Sequence, residues 1–291
     1  MGFSVDLFGN ALLSGLLLGG FYAAVAVGIT IAFGMLDIVN IAHPAFIMLG
    51  AFVAYWLNLN YGIDPILAAA IAAPFAYILG RGLYRYYNRV FEQRSDDSLQ
   101  GLAFFFGLLF IIEVGLLLVF GVDYRFVSAP YIGPTFAIGV FSVPLRMVVP
   151  FAMGLLVVGL IWLYLSRTFT GRAILAVSQD PGALRLVGGN PVRIKEAAFG
   201  ISIATAVLAG ALLIIIQPVE PSIGREFIGR AFAICVLGGM TSLGGTVLAA
   251  MILGVAEAMT ATYLGAAWGP AVAFGILLVT LAVRPNGIFG R

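Results

Sequence analysis

Residues 12–33 run for 22 positions without one charged side chain. As a helix rising 1.5 Å per residue they reach about 33 Å, enough to cross the roughly 30 Å hydrocarbon core of a bilayer. No other feature restricts the fold as strongly. Lipid offers no hydrogen bonds, so a spanning backbone must satisfy its own N–H and C=O groups, as a helix does. Further apolar runs follow at about 38–57, 65–84, 101–121, 147–166 and 196–217. The chain is 62% hydrophobic and 10% charged, against about 25% charged in a soluble domain. That composition excludes a soluble protein. Its 37 Gly and 13 Pro suit membrane helices, which tolerate both.

After Arg230 glycines interrupt the apolar sequence. It is long enough for three crossings if the first is short, about 231–241. It also fits a half-helix that enters and returns, followed by a span. Broken helices persist at membrane depth only where protein or a water-filled path covers the freed backbone. The expectation is an all-α polytopic membrane protein, one domain over 1–291, with eight or nine hydrophobic segments, some broken or re-entrant. The opening MGFSVDL lacks a basic stretch and no cleavage site stands out after it, so the first run reads as a retained span.

Positive charge orients the spans. The connections 81–94 and 167–195 and the tail residues Arg284 and Arg291 carry eleven basic residues. The alternate connections carry four: Arg125, Arg146, Arg225 and Arg230. The positive-inside rule puts the larger set in the cytoplasm, the N-terminus outside and the C-terminus inside. Small residues recur at a spacing of four, at Gly20, Ala24, Gly28 and Ala32, at Ser202, Ala206 and Gly210, and at Ala250, Gly254 and Ala258. Gly15 and Gly19 add a GxxxG. Such stripes let helices pack closely in lipid.

The chemistry is sparse. One histidine, His43, and one cysteine, Cys235, exclude clustered His or Cys metal sites and an intrachain disulfide. The glycine-rich LGGMTSLGGT (237–246) lacks the lysine of a phosphate loop. No nucleophile elbow or paired-carboxylate site is present, and the basic loops face the membrane surface rather than a nucleic acid. The intramembrane ionisable groups are His43, Glu113 and Glu257. Such groups face the protein interior or water; they line a route or fix packing through hydrogen bonds. Three isolated groups do not make an ion relay.

The connection 167–195 is the most informative polar piece. Asp180 before Pro181 is a helix N-cap with proline in the first turn. Gly188 and Gly189 stop the helix, and Asn190-Pro191 makes a turn. The result is a helix of about two turns, DPGALRLV, which lies on the headgroups or docks a cytoplasmic partner. A transporter without a nucleotide site or an ion relay draws its energy from such a partner.

With these pieces in hand, GLLLGGFYAAVAVGITIAFGMLDIVNIAHPAFIMLGAFVAYWL resembles the opening of LivH-type permeases of branched-chain amino acid ABC importers. The shared pattern is Gly20, Ala24 and Gly28, then Phe33-Gly34, then Asn40, Ala42 and His43. TGRAILAVSQDPGALRLVGGNPVRIKEAAFGISIATAVLAGAL resembles the family's coupling segment and next helix, and VLGGMTSLGGTVLAAMILGVAEAM its LGG-x-x-S-x-x-G element. Pro44 departs from the glycine of many relatives and would bend the second helix. EAAFG at 196–200 mimics the coupling motif of other ABC permeases but lies at the start of the sixth span.

The resemblance implies a multi-pass permease of the bacterial inner membrane that is not itself an enzyme and binds no cofactor. Its partners would be a second related permease, two cytoplasmic ATPases carrying ATP and magnesium, a periplasmic binding protein and the lipid. The expected cargo is a branched-chain amino acid, with urea, amides or aromatic acids as alternatives and an ion-coupled secondary transporter as a rival. Coupling to the ATPases falls to Asp180, Pro181, Ala183, Leu184, Arg185, Leu186, Gly188 and Asn190. The path or gate falls to Asn40, His43, Pro44, Glu113, Gln217 and Glu257. His43 is expected about 9 Å deeper than Asp37 along a helix, with Pro44 freeing the carbonyl of Asn40 in a kinked joint near the inner gate.

Overall fold

The computed structural model describes residues 5–92, 98–138, 141–284 and 286–290. Met1 to Ser4 of the opening segment, and Arg94 and Arg291 of the basic set, lie outside the described residues. Eleven α-helices run in chain order: α1 (Val5–Ile29), α2 (His43–Tyr61), α3 (Pro65–Tyr87), α4 (Ser98–Phe120), α5 (Leu145–Arg167), α6 (Phe169–Gln179), α7 (Pro181–Leu186), α8 (Pro191–Ile216), α9 (Glu226–Gly238), α10 (Leu243–Tyr263) and α11 (Gly269–Val283). A π-helical turn, Thr30–Met35, prolongs α1. Seven of the described segments are long and apolar enough to span a bilayer: α1 with its π-turn, α3, α4, α5, α8, α10 and α11 with the turn before it. The chain is an all-α polytopic membrane protein.

Local sequence sets where the helices begin. Asp64 caps α3 by accepting from the Ile66 amide at 2.8 Å, with Pro65 next. Thr168, Asp180, Asn190 and Ser242 do the same for α6, α7, α8 and α10. Each such cap is worth about 1 kcal/mol. Asn190, read as part of a turn, therefore caps α8, which begins five residues before the expected span.

Two helices form the axis of the bundle. Of the apolar windows in α1 and α8, 78% is buried, against 17–44% in the other five spans. The small-residue stripes are their contact faces. A Cβ on Gly19 would lie 2.7 Å from Met251 Cα of α10, and one on Gly254 2.6 Å from the Gly19 nitrogen. Across α2 and α8, a Cβ on Gly50 would lie 2.6 Å from Val207 Cα. Ser202 of α8 donates to the Gly28 carbonyl of α1 at 2.7 Å.

The second span differs from its expectation. The chain leaves the π-turn at Leu36, reverses through Asp37 (φ +58°), and becomes helical again only at His43. Pro44 thus sits in the first turn of α2, where its missing N–H costs nothing, and no kinked helix results. The Asn40 carbonyl accepts from the His43 amide at 3.2 Å, so it is not freed. The backbone nitrogen of Asp37 bonds to Phe33, and the His43 side chain reaches Val25. Those positions are eight residues apart along α1 and its π-turn, about 12 Å of rise.

The connection between α4 and α5 carries a hairpin of β1 (Thr135–Ile138) and β2 (Phe141–Pro144). It is joined to the α8–α9 connection by an antiparallel bridge between Arg125 and Val219. Tyr131 donates to Asp64 at 2.8 Å; burial first, then that carboxylate, push its hydroxyl well above the ordinary phenol range. After α8 the chain turns back through a 3-10 turn, Pro221–Arg225, into α9. With 13 residues, about 20 Å long, α9 is too short to cross. It is short, as the glycine pattern allowed, but it does not return to the side it came from: the Ile288 amide of the C-terminal tail donates to the Leu237 carbonyl at 2.8 Å, and Met240 stands against Gly34 in the π-turn of α1.

One end of the bundle gathers positive charge. The ends of α3, α5 and α11, the short helices α6 and α7 and the start of α8 carry nine described basic residues: Arg81, Arg85, Arg89, Arg167, Arg172, Arg185, Arg193, Lys195 and Arg284. Here Arg85 grips Glu196 at 3.0 and 2.9 Å, and Lys195 reaches Glu92 at 2.6 Å. The EAAFG string is thus a contact between α8 and α3: Glu196 takes Arg85, and Gly200 admits Tyr77.

Candidate functional site

His43 lies fully buried at the start of α2. Its Nε2 is 3.3 Å from the Val25 carbonyl of α1. Space for the ring exists because position 28 is glycine; a Cβ there would come 2.6 Å from Thr205 Oγ1 and 2.8 Å from the Ser202 carbonyl. Ser202 and Thr205 stand at the middle of α8, so the imidazole lies deeper in the bundle than the inner third. His43 Nδ1 and both amide atoms of Asn40 are buried with no hydrogen-bond partner among the described residues. Leaving such an atom unpaired costs about 1–3 kcal/mol. Asn40, His43 and Pro44 are therefore together, as expected, but at a helix start rather than a kink.

His43→Leu removes one long hydrogen bond and one unpaired nitrogen, so its effect on folding should be small. The expected result is a melting temperature near wild type in detergent with slowed transport in vesicles. A large fall in melting temperature with unaltered transport per folded molecule would make the residue a packing group only.

The two intramembrane carboxylates are both paired, and their partners come from one short stretch. Arg225, ending the 3-10 turn, holds Glu113 of α4 at 2.9 and 2.7 Å. Arg230, one turn into α9, holds Glu257 of α10 at 2.9 Å through Nε and Glu226 at 3.3 Å through Nη1. Tyr22 of α1 donates a short hydrogen bond to Glu257 as well. These ties clamp the 3-10 turn and α9 to three spans at once: α4, α10 and α1. Apolar α9 could not be held in lipid by hydrophobicity alone, since lipid is equally apolar.

Glu257 and Gln217 meet in one cavity of about 320 Å³. Tyr22, Glu226 and Arg230 share it, while Leu18, Phe21, Leu213, Ile216 and Phe227 form much of its apolar wall. Glu113 does not reach it; its neighbours are Ala45, Met48 and Arg225. The path residues thus fall into three places, not one.

The residues that the sequence assigns to coupling lie elsewhere, at the basic end. Asp180 accepts from the Gly182 and Ala183 amides at 2.7 and 3.0 Å, and Gly188 closes the turn at φ +82°. Leu184 is the buried member of α7 and packs under Gly189. Leu186 and Val187 are 90% and 81% exposed, and Phe169 at the start of α6 is 90% exposed. Beneath them Ile174 and Val177 of α6 are buried, and α6 packs on α5, α8 and the π-turn of α1. An apolar tip on an anchored base is thereby presented among arginines.

Sequence reading missed Tyr22, Glu226, Arg225 and Arg230 as a group. The signal was charge balance: two carboxylates inside lipid require two cations nearby, and the arginines beside the broken helix were the free pair.

The family model described as branched-chain amino acid transport system / permease component matches residues 11–281. The chain is 32% identical to the high-affinity branched-chain amino acid transport system permease protein BraD of Pseudomonas aeruginosa, covering 96% of this chain and 95% of that one. It is 29% identical to the corresponding LivH of Salmonella typhimurium, over 98% and 96%. LivM of the same organism is 26% identical over 92% and 67%.

Proposed function

Because the chain belongs to the branched-chain amino acid transport permease family, we propose that it is the membrane subunit of an ATP-binding cassette importer for branched-chain amino acids. In this reading the basic end faces the bacterial cytoplasm and both termini follow the positive-inside rule, N-terminus out and C-terminus in. A second permease completes the path. The likeness to both LivH and LivM of one organism supports a related, non-identical chain in that place. Two ATPases, which handle ATP and magnesium, dock at α6 and α7, and a periplasmic binding protein delivers cargo to the opposite end.

The observation that carries this reading is the exposed apolar pair Leu186 and Val187 at the end of α7, whose Leu184 is buried. Exposed apolar groups grouped on a polar rim mark interaction sites. The base leads inward without a break: α6 contacts the π-turn of α1, which turns into the Asp37 reversal and then α2. Movement at α7 would therefore reach His43. Coupling needs the ATPase pair to favour one permease state over the other.

The test is uptake in proteoliposomes holding this chain and its ATPases, permease partner and binding protein. ATP-dependent leucine uptake that isoleucine and valine suppress is expected. Uptake driven by an ion gradient without ATP would favour a secondary transporter, and uptake of urea, an amide or an aromatic acid in place of leucine would keep the machine and change the cargo.

A further inference from the structure

We infer that the cavity between α1, α8, α9 and α10 is a binding site for the α-amino-carboxylate group of a zwitterionic substrate, seated on Arg230 and Glu226. The inference rests on the importer reading above and adds a place within this chain where cargo is held.

The cavity is asymmetric. One wall is charged and the rest is aliphatic or aromatic. On the charged wall Arg230 spends Nε on Glu257 and Nη1 on Glu226, while Nη2 donates to nothing among the described residues. Glu226 accepts through Oε2 only, so Oε1 is open. Arg230 is held still by its two carboxylates and is 12% exposed, whereas Glu226 is 58% exposed. A fixed cationic donor thus stands beside an open anionic acceptor. Arg230 with Glu226 and Glu257 carries a net charge of minus one, which favours a ligand bearing an ammonium group. Its carboxylate would accept from Arg230 Nη2, and its ammonium would donate to Glu226 Oε1. Gln217, exposed at the rim, offers an amide to either.

The remaining wall suits an alkyl side chain. Leu18, Phe21, Leu213, Ile216 and Phe227 present no polar side-chain group. The volume of about 320 Å³ lies at the small end of ligand pockets, roughly 300–1,000 Å³. Gly269 matters because a Cβ there would stand 3.5 Å from Arg230 Nη2. A larger side chain at 269 would cover the open nitrogen, with Glu257 Cδ the next neighbour at 4.0 Å. A site built to bond both ends of a zwitterion also rejects an analogue lacking either, because its own groups are then left unpaired.

The test uses the full chain in lipid nanodiscs, without the binding protein, and radiolabelled leucine at up to millimolar concentration. Saturable binding is expected, displaced by isoleucine and valine but not by 4-methylpentanoate or 3-methylbutylamine, which lack the amine and the carboxylate in turn. Glu226→Gln and Gly269→Leu should each weaken binding at least about tenfold, a loss of roughly 1.4 kcal/mol, with a melting temperature near wild type. No saturable binding, equal displacement by the two analogues, or full affinity in both folded variants overturns the inference. ATP-driven leucine uptake by the assembled transporter, measured in parallel, separates the two levels. Uptake without binding removes only this inference, and absent leucine uptake removes the importer reading with it.

Discussion

Leu186→Asp is expected to abolish ATP-driven uptake while the chain folds and inserts normally. Leu186 is 90% exposed and supports nothing in the isolated chain. A charge there costs nothing until a partner covers it. Once covered, an unpaired carboxylate loses its water at a cost of several kcal/mol. Since every 1.4 kcal/mol is tenfold, association should fall by more than about 100-fold. Arg185→Glu, at the exposed neighbour of Leu186, tests the charge of the same tip. Reversing Asp180 is a poorer test, because that side chain caps α7 through two backbone amides. Its loss costs about 1 kcal/mol in a six-residue helix and confuses folding with docking. Wild-type uptake by Leu186→Asp would mean that the tip merely rests on the headgroups.

Arg230→Ala should be the most damaging substitution for the fold itself. Arg230 and Glu257 are 12% and 6% exposed, and Tyr22 donates to the same carboxylate. Removing the guanidinium leaves Glu257 buried without its cation, which costs about 3–5 kcal/mol. That is comparable with the whole stability of many domains, about 5–15 kcal/mol. The purified chain should aggregate or melt many degrees lower. Changing both partners, as Arg230→Leu with Glu257→Leu, should recover much of the loss, because apolar replacement of a buried pair is often near neutral. Equal melting of wild type and Arg230→Ala would mean the pair does not clamp α9. No recovery in the double variant would assign the loss to something other than the unpaired charge.

The spans were legible because lipid enforces a simple rule: long uncharged runs must be helices. α1, α3, α4, α5 and α8 follow from run length alone. The short helix α7 was legible for a different reason, since Asp180-Pro181 and Gly188 are local signals that need no tertiary context. The start of α2 was not. Residues 38–42 are as apolar as a helix, and the stop before them is made by Asp37 in a left-handed conformation, a place where glycine or asparagine is the usual signal; the Asp37 and Ile38 amides return to Phe33 and Ala32 of the π-turn. Pro44 then reads equally well as a kink or as a first-turn residue. The charged cavity was hidden for the opposite reason. Arg225 and Arg230 looked like loop charges because they follow a span, yet the chain dips back before them and delivers both to buried carboxylates.

The central claim is that α7 touches an ATPase. Cys235 is the chain's only cysteine and is fully buried, so Leu186→Cys adds a single reachable thiol. Membranes holding the assembled transporter can then be treated with a short bismaleimide. The expected product joins this chain to a nucleotide-binding subunit, in a yield that changes when ATP is bound. A thiol at 186 that is fully accessible to reagent, yet never joins an ATPase in any nucleotide state, would contradict the account.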